Sequence, residues 1–293
     1  AKALGIPTAI STLSWDNLTT KGMFPVHPDL MLVWNEHQRW EAQAYQRLAD
    51  QRIVLTGSLF FDKWLDTPIE PGDRDAFIRE IGLPKDSRYA VYLGSTRNVA
   101  PGETTLVRAL ARAMREHPDP QVNSIFLVVR PHPSNFGAYE HFEEDGTVVW
   151  PREGMLPTTQ ETKASFVKTL KHSIGSIGIN TSAMIDSIVN DVPVIAIVSG
   201  EYKRTQEDTV HFQQLRESAV LEDTISLDGC VDALRRLLNG EDRCEAARAR
   251  FASEFVRPRG GRPVRLLVAD ALEMTAAGAS PTEVDRALGD PNS

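Results

Sequence analysis

Short apolar runs recur along the chain, separated by segments whose apolar positions fall at helical spacing. Residues 7–13 (PTAISTL), 30–34 (LMLVW) and 52–56 (RIVLT) read as strands, and the Glu-, Gln-, Arg- and Ala-rich stretch 36–49 reads as a helix. A polar, proline-bearing stretch at 66–73 (DTPIEPGD) reads as a linker. A short helix is predicted over 73–81, ending at Gly82 before Pro84. A second series then begins. Strands are predicted at 89–93, 125–130, 147–150, 173–179, 193–198 and near 219–221. Helices are predicted at 103–116, 160–171, 182–190, 229–239, 241–255 and 262–277.

Val/Ile/Leu-rich strands alternating with helices point to an α/β protein whose parallel sheets are covered on both faces. The stretch at 66–73 divides it in two. The first unit reads as the end of a domain, and the second, over roughly 85–245, as a whole one. Ala1 is not an initiator Met, and a strand stands almost at once without a preceding partner, so N-terminal sequence is expected to be missing. The net charge of −8 over 293 residues argues against nonspecific nucleic-acid binding through a basic face. Cys230 and Cys244 lack metal-ligand spacing and do not suggest a disulfide framework, which agrees with a reducing, cytoplasmic compartment. No apolar run approaches the ~20 residues that cross a bilayer, and no signal peptide is expected.

Ligands of open α/β sheets gather beyond the carboxyl ends of the strands. After 89–93 comes Gly94-Ser95-Thr96-Arg97-Asn98, where glycine permits close backbone approach, two hydroxyls can donate to phosphate and Arg97 can neutralise charge. An ordinary strand-to-helix loop would look the same. After 125–130 comes Arg130-Pro131-His132-Pro133, a histidine clamped between prolines beside an arginine that could hold phosphate. Trp150 ends its strand either as a platform for a nucleobase or as a core residue. Asn180-Thr181-Ser182 then places amide and hydroxyl groups at the start of a helix, with Asp186 one turn on, as phosphate and ribose recognition would require; plain helix capping is compatible with that. In the first unit, Trp15, Asp16, Asn17 and Lys21 form a loop directly after a strand. It could face an acceptor, or be a capped polar loop. The remaining histidines carry no motif, though His211 opens a helical segment (HFQQL) near enough to stay a candidate.

The segment Asn180-Thr181-Ser182-Ala183-Met184-Ile185-Asp186, with Pro193 seven positions beyond, resembles the nucleotide-binding motif of GT-B fold glycosyltransferases, nearest to that of CDP-glycerol glycerophosphotransferases. UDP-N-acetylglucosamine 2-epimerases share the acid-to-proline spacing. Arg130-Pro131-His132-Pro133 is similar to the R-x-H-P element of the glycerophosphotransferases and of capsule Kdo transferases. Two positions depart from the pattern: Asp191 stands where many relatives have glycine, and Asn180 where the glycerophosphotransferases commonly have tyrosine.

The resemblance implies a GT-B protein of two Rossmann-like parallel-sheet domains, the N-terminal one incomplete. Residues 1–70 would end the acceptor-side domain and 71–256 would bind the nucleotide donor. Residues 257–293 would supply a helix packing back on the first domain and a frayed tail. It implies transfer of a sugar or polyol phosphate from a nucleotide-activated donor to a glycan, lipid-linked or related hydroxyl acceptor of the cell envelope. Gly94, Ser95, Thr96, Arg97, Arg130, Asn180, Thr181 and Ser182 would hold the nucleotide phosphates, Trp150 its base and Asp186 its ribose. His132 would assist the leaving group, and Asp16 is a candidate base, with Trp15, Asn17 and Lys21 on the acceptor side. No metal and no cofactor beyond the donor is expected, and peripheral attachment to the inner face of the membrane through the missing part is left open. The rival readings are a 2-epimerase-type isomerase and a noncatalytic nucleotide- or glycan-binding module.

Overall fold

The structure, a computed structural model, describes residues 1–65, 73–154 and 156–289. All but the last residue of the expected linker 66–73 lies outside these, as does the tail beyond 289. In chain order the elements are β1 (Ala9–Ser11), α1 (Asn17–Thr20), β2 (Leu30–Val33), α2 (Glu36–Ala44), β3 (Ile53–Leu55), α3 (Leu59–Leu65), α4 (Asp73–Glu80), β4 (Tyr89–Leu93), α5 (Glu103–Arg115), α6 (Pro120–Asn123) and β5 (Phe126–Arg130). There follow β6 (Thr147–Val149), α7 (Gln160–Lys171), β7 (Ser176–Gly178), α8 (Ala183–Val189), β8 (Val194–Ile197), α9 (Val210–Glu217), β9 (Glu222–Thr224), α10 (Leu227–Leu238), α11 (Glu245–Phe251), α12 (Val264–Ala276) and α13 (Pro281–Ala287). Contacts divide the chain into one unit of Ala1–Asp66 with Ala249–Ser293 and another of Thr67–Arg248. The C-terminal boundary therefore falls before the expected 256/257 position.

The first unit has three parallel strands in the order β1-β2-β3, with Ala9 beside Leu30 and Leu32 beside Val54. Alternate residues of a strand point to opposite faces. Met31, Val33, Ile53 and Leu55 meet Leu18, Ala42 and Leu48 on one side. Leu30, Leu32 and Val54 meet Val264, Leu267, Val268 and Ala271 of α12 and Val284 of α13 on the other. Burial of each such aliphatic side chain contributes about 1.5–3 kcal/mol, so the returning C-terminal helices supply one of the two layers of this sheet's core.

The second unit is a six-stranded parallel sheet in the order β6-β5-β4-β7-β8-β9. Val91 of β4 pairs with Val128 on one side and Ser176 on the other. Ala90, Tyr92, Leu127, Val129, Ile177 and Ile195 face Val107, Leu110 and Met114 of α5 and Val231 and Leu234 of α10. Numbered from its own first strand, this sheet runs 3-2-1-4-5-6, so the winding reverses between β4 and β7 and opens a crevice there.

Several elements differ from the sequence reading. The helix over 36–49 stops at Ala44, because Arg47 adopts φ +54°. The strand expected at 219–221 forms at Glu222–Thr224, after Ala219 takes φ +55° beyond the end of α9. The helix over 241–255 starts at Glu245 and ends in a π-turn at Ala252–Val256. Helices α3 and α13 and 3₁₀ turns at Pro133–Tyr139 and Gly200–Thr205 were not expected. Asp191 adopts φ +59°, the conformation that glycine takes most readily, and its exposed carboxylate accepts from Arg248 Nε at 2.9 Å. Among the described residues no helix is long and apolar enough to cross a membrane.

Candidate functional site

Strand β4 ends against Gly94, whose N–H donates to the Arg130 carbonyl at 2.9 Å. A Cβ here would lie 2.9 Å from His132 N and 3.1 Å from both Arg130 O and Pro131 Cα. The close approach is therefore made by the neighbouring strand's backbone, not by a ligand as the sequence suggested. Gly94→Ala is expected to cost about 1–3 kcal/mol, read as a lower urea midpoint with an unchanged slope. Ser95 is likewise different from expectation. It is fully buried, its N–H donates to Glu103 Oε1 at 2.8 Å, and its hydroxyl finds no hydrogen-bond partner among the described residues. Thr96 is half-buried and Arg97 exposed.

Beyond these strand ends lies a cleft of about 520 Å³, lined by Arg97, Gly102, Glu103, Thr104, Ser134 and Asn135 among others. Glu103, in the first turn of α5, is the group that the sequence did not single out. Its Oε1 accepts from Ser95 N and Tyr92 Oη (3.1 Å), and its Oε2 from Tyr139 Oη (3.1 Å). Burial pushes its carboxyl up to about 7, against the opposing pull of the hydrogen bonds from Ser95, Tyr139 and Tyr92. Asn135 Nδ2 reaches the Ser95 carbonyl at 3.4 Å, so the wall after β4 and the wall after β5 are bonded to each other.

His132 heads the second wall. Its Nδ1 accepts from the backbone N–H of Ser134 at 3.1 Å, a group that can only donate, and lies 2.8 Å from Ser134 Oγ. That fixes the neutral tautomer: Nδ1 is the acceptor and Nε2 carries the proton. Burial lowers its pKa below the ordinary imidazole value. Arg130, expected to hold phosphate, makes an aromatic contact. Its guanidinium lies over the Phe166 ring, 4.3 Å from the centroid, and burial depresses its pKa to about 10 while the charge of Asp186 pulls it back up. Asp186 is 5% exposed on α8 and forms part of this buried charge pair.

Asn180 also turns inward, its side-chain amide donating to the Thr205 carbonyl, and Thr205 Oγ1 donates to Val99 O at 2.9 Å. The turn after β7 is thereby tied to the loop after β4. Thr181 is buried, with Oγ1 3.4 Å from Ala183 N, whereas Ser182 is exposed and makes no side-chain cap bond. Gln206, which carried no motif, donates to both Ile179 O and Ile197 O at 2.8 Å and so joins the ends of β7 and β8. Trp150 packs edge-on to Phe77 of α4, with centroids 6.4 Å apart, and the lining of the cleft does not include it.

In the first unit the 14–22 loop is closed on itself. Asp16 accepts from Ser14 Oγ and from Thr20 Oγ1 (2.8 Å) and pairs with Lys21 at 3.6 Å. Asn17 Oδ1 accepts from the N–H groups of Leu13 (3.1 Å) and Ser14 (3.0 Å), and Trp15 is buried. The Asp16 carboxylate is thus engaged within its own loop by two hydroxyls and an ammonium.

No family model and no curated protein matches the chain. Solved structures do. A variant of the wall teichoic acid polymerase TagF aligns with TM-score 0.57 and 12% identity over 85% of this chain and 58% of its own. S. aureus MnaA bound to UDP aligns at 0.57 and 14% over 85% and 61%. A UDP-N-acetylglucosamine 2-epimerase aligns at 0.52 and 14% over 86% and 59%. The fold is that of the GT-B proteins. This chain spans about three fifths of the length of these neighbours. At such identities the likeness concerns the fold alone, and within it the six-stranded unit is a Rossmann-like GT-B domain whose crevice lies between β4 and β7.

Proposed function

We propose that this GT-B chain belongs to a transferase that moves a sugar, or a polyol phosphate, from a nucleotide-activated donor to a hydroxyl on a cell-envelope glycan or related acceptor. The observation that carries the reading is the gathering of Arg97, Glu103, Ser134 and Asn135 around one cleft beyond the ends of β4 and β5, with the Asn180–Ser182 turn tied to the loop after β4 through Thr205. Fold neighbours described with UDP or as a wall teichoic acid polymerase support a nucleotide-bearing ligand.

The chemistry is electrostatic. As the donor bond breaks, negative charge grows on the departing phosphate. Arg97 supplies an exposed cation at the cleft, and His132, whose Nδ1 is held by Ser134 of the cleft lining, offers a neutral Nε2–H donor. Arg130, whose guanidinium feels the charge of Asp186, would sit beside the carboxylate assigned to the ribose diol. In this reading the donor is a substrate, and no further cofactor takes part.

The test is ligand-dependent stability. UDP or CDP at a hundred times its Kd is expected to stabilise the protein by about 2.7 kcal/mol. Asp186→Ala is expected to erase most of that gain; equal gains in variant and parent would remove Asp186 from ribose binding. The epimerase neighbour keeps an isomerase as the second reading. Incubation with UDP-N-acetylglucosamine and no acceptor separates the two, because only the isomerase yields the 2-epimer.

A further inference from the structure

We infer that Glu103 is a positioning residue of the cleft, and that entry of a phosphate-bearing ligand drives a proton from solvent onto its carboxyl. The inference rests on the proposed donor reading of the cleft. Its geometric basis is the set of partners around the carboxylate. Glu103 is 2% exposed, lines the cleft, and is hydrogen-bonded by an amide and two phenols; among the described residues no cation pairs with it. A second anion brought into the same cleft meets an uncompensated negative charge at low dielectric, which favours the protonated form.

The neutral form fits the same contacts. Oε1 continues to accept from Ser95 N and Tyr92 Oη, while a proton on Oε2 donates to Tyr139 Oη, whose oxygen has free lone pairs. The loop after β4 and the turn after β5 therefore stay in register when the charge is removed. The titratable groups facing Glu103 are Tyr92 from β4, Tyr139 from the 133–139 turn and Tyr202 from the 200–205 turn, all pushed upward by burial and by Glu103 itself, with Arg97 on the cleft wall. The three phenols keep their protons near neutrality. Glu103, raised to about 7 by burial, titrates there.

The experiment uses UDP-N-acetylglucosamine and CDP-glycerol, whose diphosphates carry no titrating oxygen between pH 6.5 and 8.5. Calorimetric titration of the whole chain is run across that range and in two buffers of different ionisation enthalpy. The parent should take up close to one proton near pH 8 and lose affinity by up to about tenfold per pH unit above 7. Glu103→Gln, which reproduces the neutral hydrogen-bond pattern, should bind with an affinity that no longer changes with pH and with no proton uptake. Tyr139→Phe removes a hydrogen bond that holds the carboxylate down, so it should move the break in the parent's profile to higher pH, and it keeps the test decisive if the glutamine variant folds poorly. A flat parent profile, or a slope that survives in Glu103→Gln, overturns the inference while leaving the donor reading intact. Absence of binding by both probes to the parent at every pH overturns the donor reading and the inference with it.

Discussion

Replacing His132 with alanine is expected to lower turnover of the nucleotide donor by about 10²–10³-fold, the usual cost of deleting one aligned donor to a developing anion. The KM for the donor should rise far less, because the charge that Nε2–H meets grows as the bond breaks. The tautomer decides the pH dependence. Nδ1 is held as an acceptor by the Ser134 N–H, and burial lowers the imidazole pKa. At neutral pH and above, the ring is therefore neutral and still presents its N–H. At saturating donor, where any pH dependence of binding drops out, the rate should hold level from neutrality upward rather than fall with deprotonation of an imidazolium. Steady-state rates of nucleotide release for parent and His132→Ala, measured from pH 6 to 9, check both points. A variant with the parent's turnover would take His132 out of the chemistry. A parent whose rate drops steadily above pH 6 would make the charged ring the active form.

How far the sequence reaches is clear from particular residues. Strands β2, β4 and β8 are uninterrupted runs of apolar residues and β5 is one up to its terminal Arg130, so their positions, their parallel pairing and the strand ends that frame the cleft were legible from the sequence. β9 was not, because Glu222-Asp223-Thr224 is polar and pairs only at the sheet edge, while the apolar Val220 and Leu221 before it are core residues outside the strand. α13 carried a readable signal, the Ser280–Glu283 capping box with Pro281 behind the cap, masked by its polar composition. At the site, the sequence located the loops and misjudged which way their side chains turn. Ser95, Arg130 and Asn180 are spent on the protein's own carbonyls, rings and packing. Glu103 looked like an ordinary acid at a helix start. Its meaning depends on Tyr92 and Tyr139, 11 and 36 residues away, meeting on one carboxylate, and no local pattern encodes that meeting.

The larger effect on folding is expected at Gly57. It adopts φ +91°, and a Cβ there would stand 2.1 Å from Val256 O and 3.0 Å from both Pro258 Cδ and Val264 Cγ2. Two costs combine in Gly57→Ala. The backbone conformation itself disfavours an L side chain by about 1–3 kcal/mol. The clash with a backbone carbonyl cannot be relieved by a rotamer change, and that carbonyl accepts from Ser58 N at 2.9 Å, the bond joining the end of β3 to the segment that leads into α12. Moving it withdraws α12 from the sheet face that Val264, Leu267 and Val268 cover. A total loss of about 4 kcal/mol or more follows, a large share of the ~5–15 kcal/mol that holds a domain together. Gly22→Ala is the control. Gly22 has φ +79° in the same unit, with no heavy atom within 4 Å of its would-be Cβ, so it carries the conformational cost without the clash. Chemical denaturation of both variants should separate their midpoints widely. Equal losses would mean that the 256–258 segment yields, and that the chain's return to the first sheet is looser than the Val256–Ser58 bond implies.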